Sequence, residues 1–303
     1  MGIQDLKTLI RDQDKNAIDF SVPLSTFSGS SVAVDSSIII WANMAVITKT
    51  FFTSISDPSS EIDPLFIEEG MRRQIGAFCA RLRDETITPI FVFDGPTRDV
   101  KKMTVDERKE KREIHREKIE KILEDKGSSD MTDIIRAKVQ DRDLRELKKR
   151  DVKITREIIE VTKKVVAELG YEIVQAPHDG EATCASLVLS GKASAVWSTD
   201  SDTLAYGAHW TIIGPDKMTP GNVLCMSLER SLCALGLGLS SFRDLCILLG
   251  CDYNTRMRGY GPKKCFALIK AHGTIDEIQK VKPDLPFDQL NHEVCREIFE
   301  GKR

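Results

Sequence analysis

The chain has no apolar run long enough to cross a bilayer, and charge enters too early in Met1-Gly-Ile-Gln-Asp-Leu-Lys7 for a secretory leader. Position 6 is Leu6 rather than serine or threonine, so Gly2 does not open a myristoylation signal. Membrane insertion and lipid anchoring are therefore not expected. The eight cysteines include no Cys-x-x-Cys pair and no histidine at zinc spacing, which leaves reduced core thiols in an intracellular protein as the expectation. Basic excess is missing too: a net charge of −3 and a pI near 6.0 exclude a uniformly basic nucleic-acid coat. Phosphate binding must then come from local patches, hidden in the average by acids gathered elsewhere. No low-complexity linker or internal repeat divides the 303 residues, a length that can bury one large α/β core with an appended helical module.

What the chain does have is seven carboxylates where apolar runs stop: Asp35, Asp94, Asp179, Glu181, Asp200, Asp202 and Asp252. Asp35 closes Ser-Val-Ala-Val-Asp, Asp94 closes Ile-Phe-Val-Phe-Asp, and Asp200 and Asp202 follow Ala-Val-Trp-Ser-Thr. Short β-branched runs of this kind predict buried parallel strands. In a shared sheet their C-terminal ends lie together, where open α/β sheets place ligands, so acids distant in sequence would converge. Like charges in such number need cations beside them, and hard oxygen donors favour magnesium or manganese. For a single aspartate after a strand, a cap or a solvated turn is an equally good account. At Asp179 and Glu181 the dipole of the helix they open competes in the same way. Clusters at five separate points on one predicted rim outweigh that alternative.

Ile67, Met71, Ile75, Phe78 and Leu82 repeat at helical spacing between the strands ending at Asp35 and Asp94, which predicts a βαβ unit. Residues 101–150 are charge-dense, with a break at Gly127-Ser-Ser-Asp130, and predict exposed helices that could project as a hairpin; a salt-bridged surface helix is the ordinary account. A helix from Ile154 to Leu169 ends at Gly170, Tyr171-Glu-Ile-Val is a further strand, and Leu228 to Leu235 and Phe242 to Leu249 are short helices. Arg258-Gly-Tyr-Gly-Pro-Lys-Lys264 then joins glycines for a tight turn, a proline suited to a first helical position, and adjacent lysines. Free amides and charge at Gly259, Gly261, Lys263 and Lys264 suit a nucleic-acid backbone held without reading its sequence, against the plainer account of a helix connection.

Taken together, these residues resemble the structure-specific 5′ nucleases, the superfamily of the flap endonucleases and the xeroderma pigmentosum group G nuclease. The resemblance rests on Met1-Gly-Ile-Gln, the Val-Asp of Asp35, Val92-Phe-Asp-Gly95, Ala176-Pro-His-Asp-Gly-Glu181 and Thr199-Asp-Ser-Asp202. It continues through Cys246-Ile-Leu-Leu-Gly-Cys-Asp-Tyr253 and Gly259-Tyr-Gly-Pro-Lys263 in family order. It implies one nuclease domain over residues 1–303: a central mixed, largely parallel sheet with helices on both faces, a helical arch at 98–150, a helix–two-turn–helix module at 236–275 and a C-terminal segment at 276–303.

By the same resemblance, Asp35, Asp94, Glu181 and Asp200 lie nearest one magnesium ion while Asp202 and Asp252 help hold a second, with manganese able to substitute. Asp179 stands where members usually carry glutamate. Lys101 and Arg108 match basic residues that the arch directs at the phosphate, and Trp41 matches an aromatic on which a base stacks. Phe51 and Phe52 fall in a segment that forms a wedge in the family, with a buried helix end as the other account. Gly2 would lie near the reacting phosphate once Met1 is removed, and potassium would belong at the hairpin. The implied partner is branched or flapped double-stranded DNA, cut by a monomer in the nucleus or a viral replication compartment. The chain stops at Arg303 without the tail that carries a sliding-clamp motif, so clamp binding is not expected. The implied activity is two-metal hydrolysis at 5′ flaps, in replication, repair or recombination. A 5′-to-3′ exonuclease is the alternative, because Phe93-Asp-Gly-Pro-Thr and Gly250-Cys-Asp-Tyr lean toward that branch. A non-catalytic DNA-binding scaffold is the alternative of another class, and the intact acids argue against it. A small-molecule phosphatase leaves the hairpin lysines unexplained.

Overall fold

The apolar runs that end in carboxylates form the middle of a seven-stranded sheet in this computed structural model, which describes residues 2–101, 116–122, 131–287 and 290–302. The chain divides into two compact units, one of residues 1–36, 82–102 and 174–303 and the other of 37–81 and 103–173. Strands β1 (Ile18–Pro23), β2 (Ser31–Asp35), β3 (Thr88–Phe93), β4 (Glu172–Gln175), β5 (Ala195–Trp197), β6 (Trp210–Pro215) and β7 (Asn222–Ser227) lie in the order β1-β7-β6-β5-β2-β3-β4. β2 pairs in parallel with β3 and β5, and β5 in parallel with β6. β7 turns antiparallel against β6 and β1, so the sheet is mixed, as expected. Val32, Ala33 and Val34 of β2 are wholly buried, which is why the run carries no polar alternation.

In the first unit the sheet is joined by α1 (Leu6–Gln13), α6 (Gly180–Leu189), α7 (Asp202–Ala205), α8 (Leu228–Leu235), α9 (Leu239–Leu249), α10 (Pro262–His272), α11 (Ile275–Val281) and α12 (His292–Phe299). α9 is apolar nearly all round and sits in the core, with Leu245 through Leu249 fully buried. One buried polar group interrupts it. Asp244 accepts from Arg296 Nε and Nη2 on α12, both at 2.6 Å, and from the Ile275 backbone N–H at 2.8 Å, so one carboxylate ties three helices together. α8 and α9 are together long and apolar enough for a bent membrane pair, although Phe242 and Leu245 through Leu249 of α9 are buried in the core. No single helix among the described residues is long and apolar enough to cross a membrane.

The second unit holds α4 (Met131–Lys148), α5 (Arg156–Glu168) and most of α2 (Ser36–Ser54) and α3 (Pro64–Asp84); residues 116–122 are also helical. Of the α3 positions expected to face a core, Met71, Ile75 and Leu82 are buried and Ile67 and Phe78 are half-buried, while Cys79 of α3 and Ile47 of α2 are buried as well. Phe51 and Phe52 are buried as well, Phe51 meeting Phe52 and Phe66 edge-on, so the buried helix end is the correct account of them. Arg145 of α4 closes the end of α2 by donating to the carbonyls of Phe52, Ile55 and Ser56. Residues 102–115 and 123–130, including Arg108, lie outside the described residues, so a large part of the expected arch does too.

Candidate active site

Asp35 is the last residue of β2 and Asp94 follows β3 directly, which puts them at the same end of adjacent parallel strands. Asp200 comes just after β5 and Asp202 opens α7, while Asp179 and Glu181 sit at the start of α6 and Asp252 follows α9. All belong to the first unit. Backbone and hydroxyl donors fix several of them. Gly180 N–H donates to Asp94 Oδ1 at 2.7 Å, Ser198 Oγ to Asp35 Oδ2 at 3.1 Å, and Asp202 N–H to Asp200 Oδ1 at 2.9 Å. Gly180 permits that contact because a Cβ there would stand 2.7 Å from the same Asp94 oxygen. Gly2 is confined likewise: with a φ of 96°, its Cβ would fall 2.1 Å from Asp200 Oδ1 and 2.9 Å from Asp202 Oδ1. The N-terminus is thereby tied to the acids, and Gln4 N–H donates to the Gly250 carbonyl at the end of α9.

The electrostatics show how closely the acids gather. Burial first, then Asp35, Asp200 and Asp94, push the Glu181 carboxyl well above the ordinary range, with Lys101 opposing them. Burial, Asp200 and Asp252 do the same to Asp202, whose buried Oδ1 has no hydrogen-bond partner among the described residues. Lys101 answers this charge. Burial alone would lower its ammonium, but Glu181, Asp179 and Asp252 outweigh that and hold it above the ordinary lysine value. Its Nζ lies 2.9 Å from Asp179 Oδ1 and 3.2 Å from Asp252 Oδ2, and 5.8 Å from the centre of the Tyr253 ring. Asp179 is held below the ordinary carboxylate value even though burial pushes it up, because Lys101, Arg98 and the Tyr253 hydroxyl overcome burial.

Among the described residues, no group of three or more His, Cys, Asp or Glu side chains stands at metal-binding spacing. The donors nevertheless fit a hard divalent ion. They are carboxylate oxygens gathered by strand ends and helix starts, one of them lacks a hydrogen-bond partner among the described residues, and two carboxyls carry raised pKa values that positive charge would relieve. Asp179 and Asp252 are turned instead toward cations of the chain itself.

Other expected residues fall elsewhere. Gly259 takes a φ of 80°, Gly261 precedes α10, and Pro262 is its first residue. Lys264 donates back to the Gly259 carbonyl at 3.3 Å and lies 5.6 Å from the centre of the Tyr260 ring, while Lys263 is exposed. Trp41, in the second unit, is 56 % exposed, which removes the core-tryptophan account. His178 makes a local contact, Nδ1 to the Pro96 carbonyl at 3.3 Å. Reading the sequence missed Arg98, which donates to Asp179 Oδ2 at 2.9 Å, and Lys7, whose Nζ donates to the Thr199 carbonyl beside Asp200. Their only signal was a basic residue close in sequence to a named one.

The chain matches the XPG N-terminal domain over residues 1–115 and the XPG I-region over residues 170–252. It is 32 % identical to flap endonuclease 1 of Leishmania braziliensis over 322 residues, covering 98 % of this chain and 74 % of that protein. It is 31 % identical to flap endonuclease 1 of Zea mays, covering 99 % and 75 %. In fold it is similar to the catalytic core of Rad2 in complex with DNA substrate, with a TM-score of 0.61 at 20 % identity over 100 % of this chain and 81 % of that one. It is also similar to flap endonuclease-1 from Methanococcus jannaschii, with a TM-score of 0.58 at 19 % identity over 92 % and 80 %. With both XPG regions matched and relatives of this identity aligned along nearly its whole length, the chain belongs to the XPG and flap endonuclease family of nucleases.

Proposed function

We propose that this chain is a divalent-metal-dependent nuclease that binds branched DNA and hydrolyses the 5′-ended strand at flaps. The observation that carries the reading is the meeting of carboxylates at the ends of β2, β3 and β5, with Asp35 and Asp200 buried and Asp94 exposed, beside a lysine that Glu181, Asp179 and Asp252 hold charged. The relatives named flap endonuclease 1, and the likeness to a Rad2 core solved with a DNA substrate, support the class of substrate.

Asp35, Asp94, Glu181 and Asp200 would hold one magnesium or manganese ion, and Asp202 and Asp252 a second. Such ions, when bound, acidify a water and offset charge at the scissile phosphate. The chain's own contribution is distinct from that. Lys101 keeps its proton and offers fixed positive charge to a phosphate oxygen, where charge grows in the transition state. Arg108 is assigned the same role. The amides and lysines from Gly259 to Lys264 would grip the duplex backbone, with potassium as a candidate ion at that turn. Trp41 offers an open ring face to a base, a contact worth about 1–3 kcal/mol. A monomer is sufficient for all of this.

Exonucleolytic digestion from a 5′ end would use the same groups. End-labelled flap, nicked and blunt duplexes of matched sequence separate the two. Release of an intact flap oligonucleotide in magnesium is the expected result. Mononucleotides from blunt ends with no flap product would assign the exonuclease, and binding without any cleavage would assign a scaffold.

A further inference from the structure

Asp179 is committed differently from the carboxylates around it. Its Oδ1 accepts from Lys101 Nζ and its Oδ2 from Arg98 Nε, each at 2.9 Å. Asp252 meets Lys101 through Oδ2 at 3.2 Å, and Asp202 Oδ1 has no hydrogen-bond partner among the described residues. Although Asp179 occupies the N-cap position of α6, its side chain makes no capping bond, so helix capping does not account for it. Nor is the cluster a loose surface pair. The Asp179, Arg98 and Lys101 side chains are 6 %, 12 % and 16 % exposed. A divalent ion on either Asp179 oxygen would have to share that atom with a buried cation already in hydrogen-bond contact with it, and like charges side by side in such a setting repel strongly.

We propose that Asp179 holds no metal: it is a positioning residue that anchors Lys101 and Arg98 at the edge of the carboxylate cluster, and Arg98 is the second cation of that edge. The inference rests on the metal-dependent reading of the neighbouring acids. It gives Arg98 a role that the spacing of the motifs did not suggest. The anchor fixes where Lys101 stands before any phosphate arrives, so less ordering remains to be done on binding.

The test is calorimetric titration of the DNA-free full chain with manganese alone, which reads metal affinity and not turnover. Asp179→Asn leaves two buried cations without their shared partner and should weaken binding. Arg98→Gln combined with Asp179→Asn removes one charge of each sign, so local net charge is kept. Metal ligation and its hydrogen-bonded support are each worth roughly 10–100-fold in affinity, so the double variant should stay within about threefold of the parent while Asp94→Asn falls by at least about tenfold. Recovery in the double variant greater than the gain that Arg98→Gln alone gives the parent is the outcome that a ligand role cannot produce. A double variant as weak as Asp179→Asn or Asp94→Asn, with a parent-like melting temperature in chelator, overturns the proposal. A parent chain that binds no manganese overturns the metal-dependent reading and this inference with it.

Discussion

Replacing Asp244 with alanine should loosen the helical end of the first unit without touching a candidate metal ligand. The carboxylate is 1 % exposed and accepts two bonds of 2.6 Å from Arg296 and one of 2.8 Å from the Ile275 amide. Removing it leaves the Ile275 N–H without that acceptor and the Arg296 guanidinium, 23 % exposed, still paired to Asp276 at 2.8 Å. The loss should therefore reach at most about 3–5 kcal/mol, the cost of breaking a fully buried pair from one side. At about 2–4 °C of melting temperature per kcal/mol, less in a chain of this length, the drop should be roughly 5–15 °C in calorimetry. Hydrogen exchange should show lost protection in α11 and α12 before β2 and β3 are affected. Because an ion pair replaced whole by apolar side chains is often close to neutral, Asp244→Leu with Arg296→Met should recover much of the loss. A melting temperature for Asp244→Ala within about 2 °C of the parent, less than about 1 kcal/mol on that scale, would refute the reasoning, since the three bonds would then contribute little net energy.

Burial and neighbouring carboxylates raise Glu181 above its ordinary value of 4.5, so above that pH the native chain keeps a proton that the unfolded chain releases. Stability in chelator should therefore fall as pH rises through the raised folded value, and Glu181→Gln should flatten that fall in melting scans; an unchanged slope would contradict the assignment. At the hairpin, Lys263→Ala should reduce the salt slope of duplex binding by about 0.9, alike for every sequence. Lys264 also supports the turn through the Gly259 carbonyl, so Lys264→Ala should weaken binding by more than its charge alone; equal losses would argue otherwise.

The strands carrying Asp35, Asp94 and Asp200 were legible because fully buried parallel strands leave unbroken apolar runs, and their C-terminal ends must share one edge. The antiparallel edge was not. β1 is half-buried, contains Asp19 at a φ of 54° and shifts register between Ile18 and Phe20, so neither alternation nor an apolar run marks it. β6 and β7 carry a similar register shift between Ile212 and Gly214. At the site, spacing identified which acids could gather but not which cation each would face. Arg98 precedes Lys101 by three positions in a charge-rich segment, and only the fold brings both to Asp179. Trp41 shows the same limit in reverse, since one tryptophan on an apolar helix has the same sequence signature whether it is core or open to a base.

The central claim is that the gathered acids perform metal-dependent strand cleavage rather than simply shaping the fold. Single-turnover cleavage of a labelled 5′ flap by Asp200→Ala, beside Asp94→Ala, tests it most directly when flap affinity is measured in the same buffer. With saturating magnesium we expect both variants to lose cleavage while binding flap DNA as well as the parent or more tightly, because a negative charge has been removed near the phosphate. Near-parental cleavage by either variant would contradict the claim.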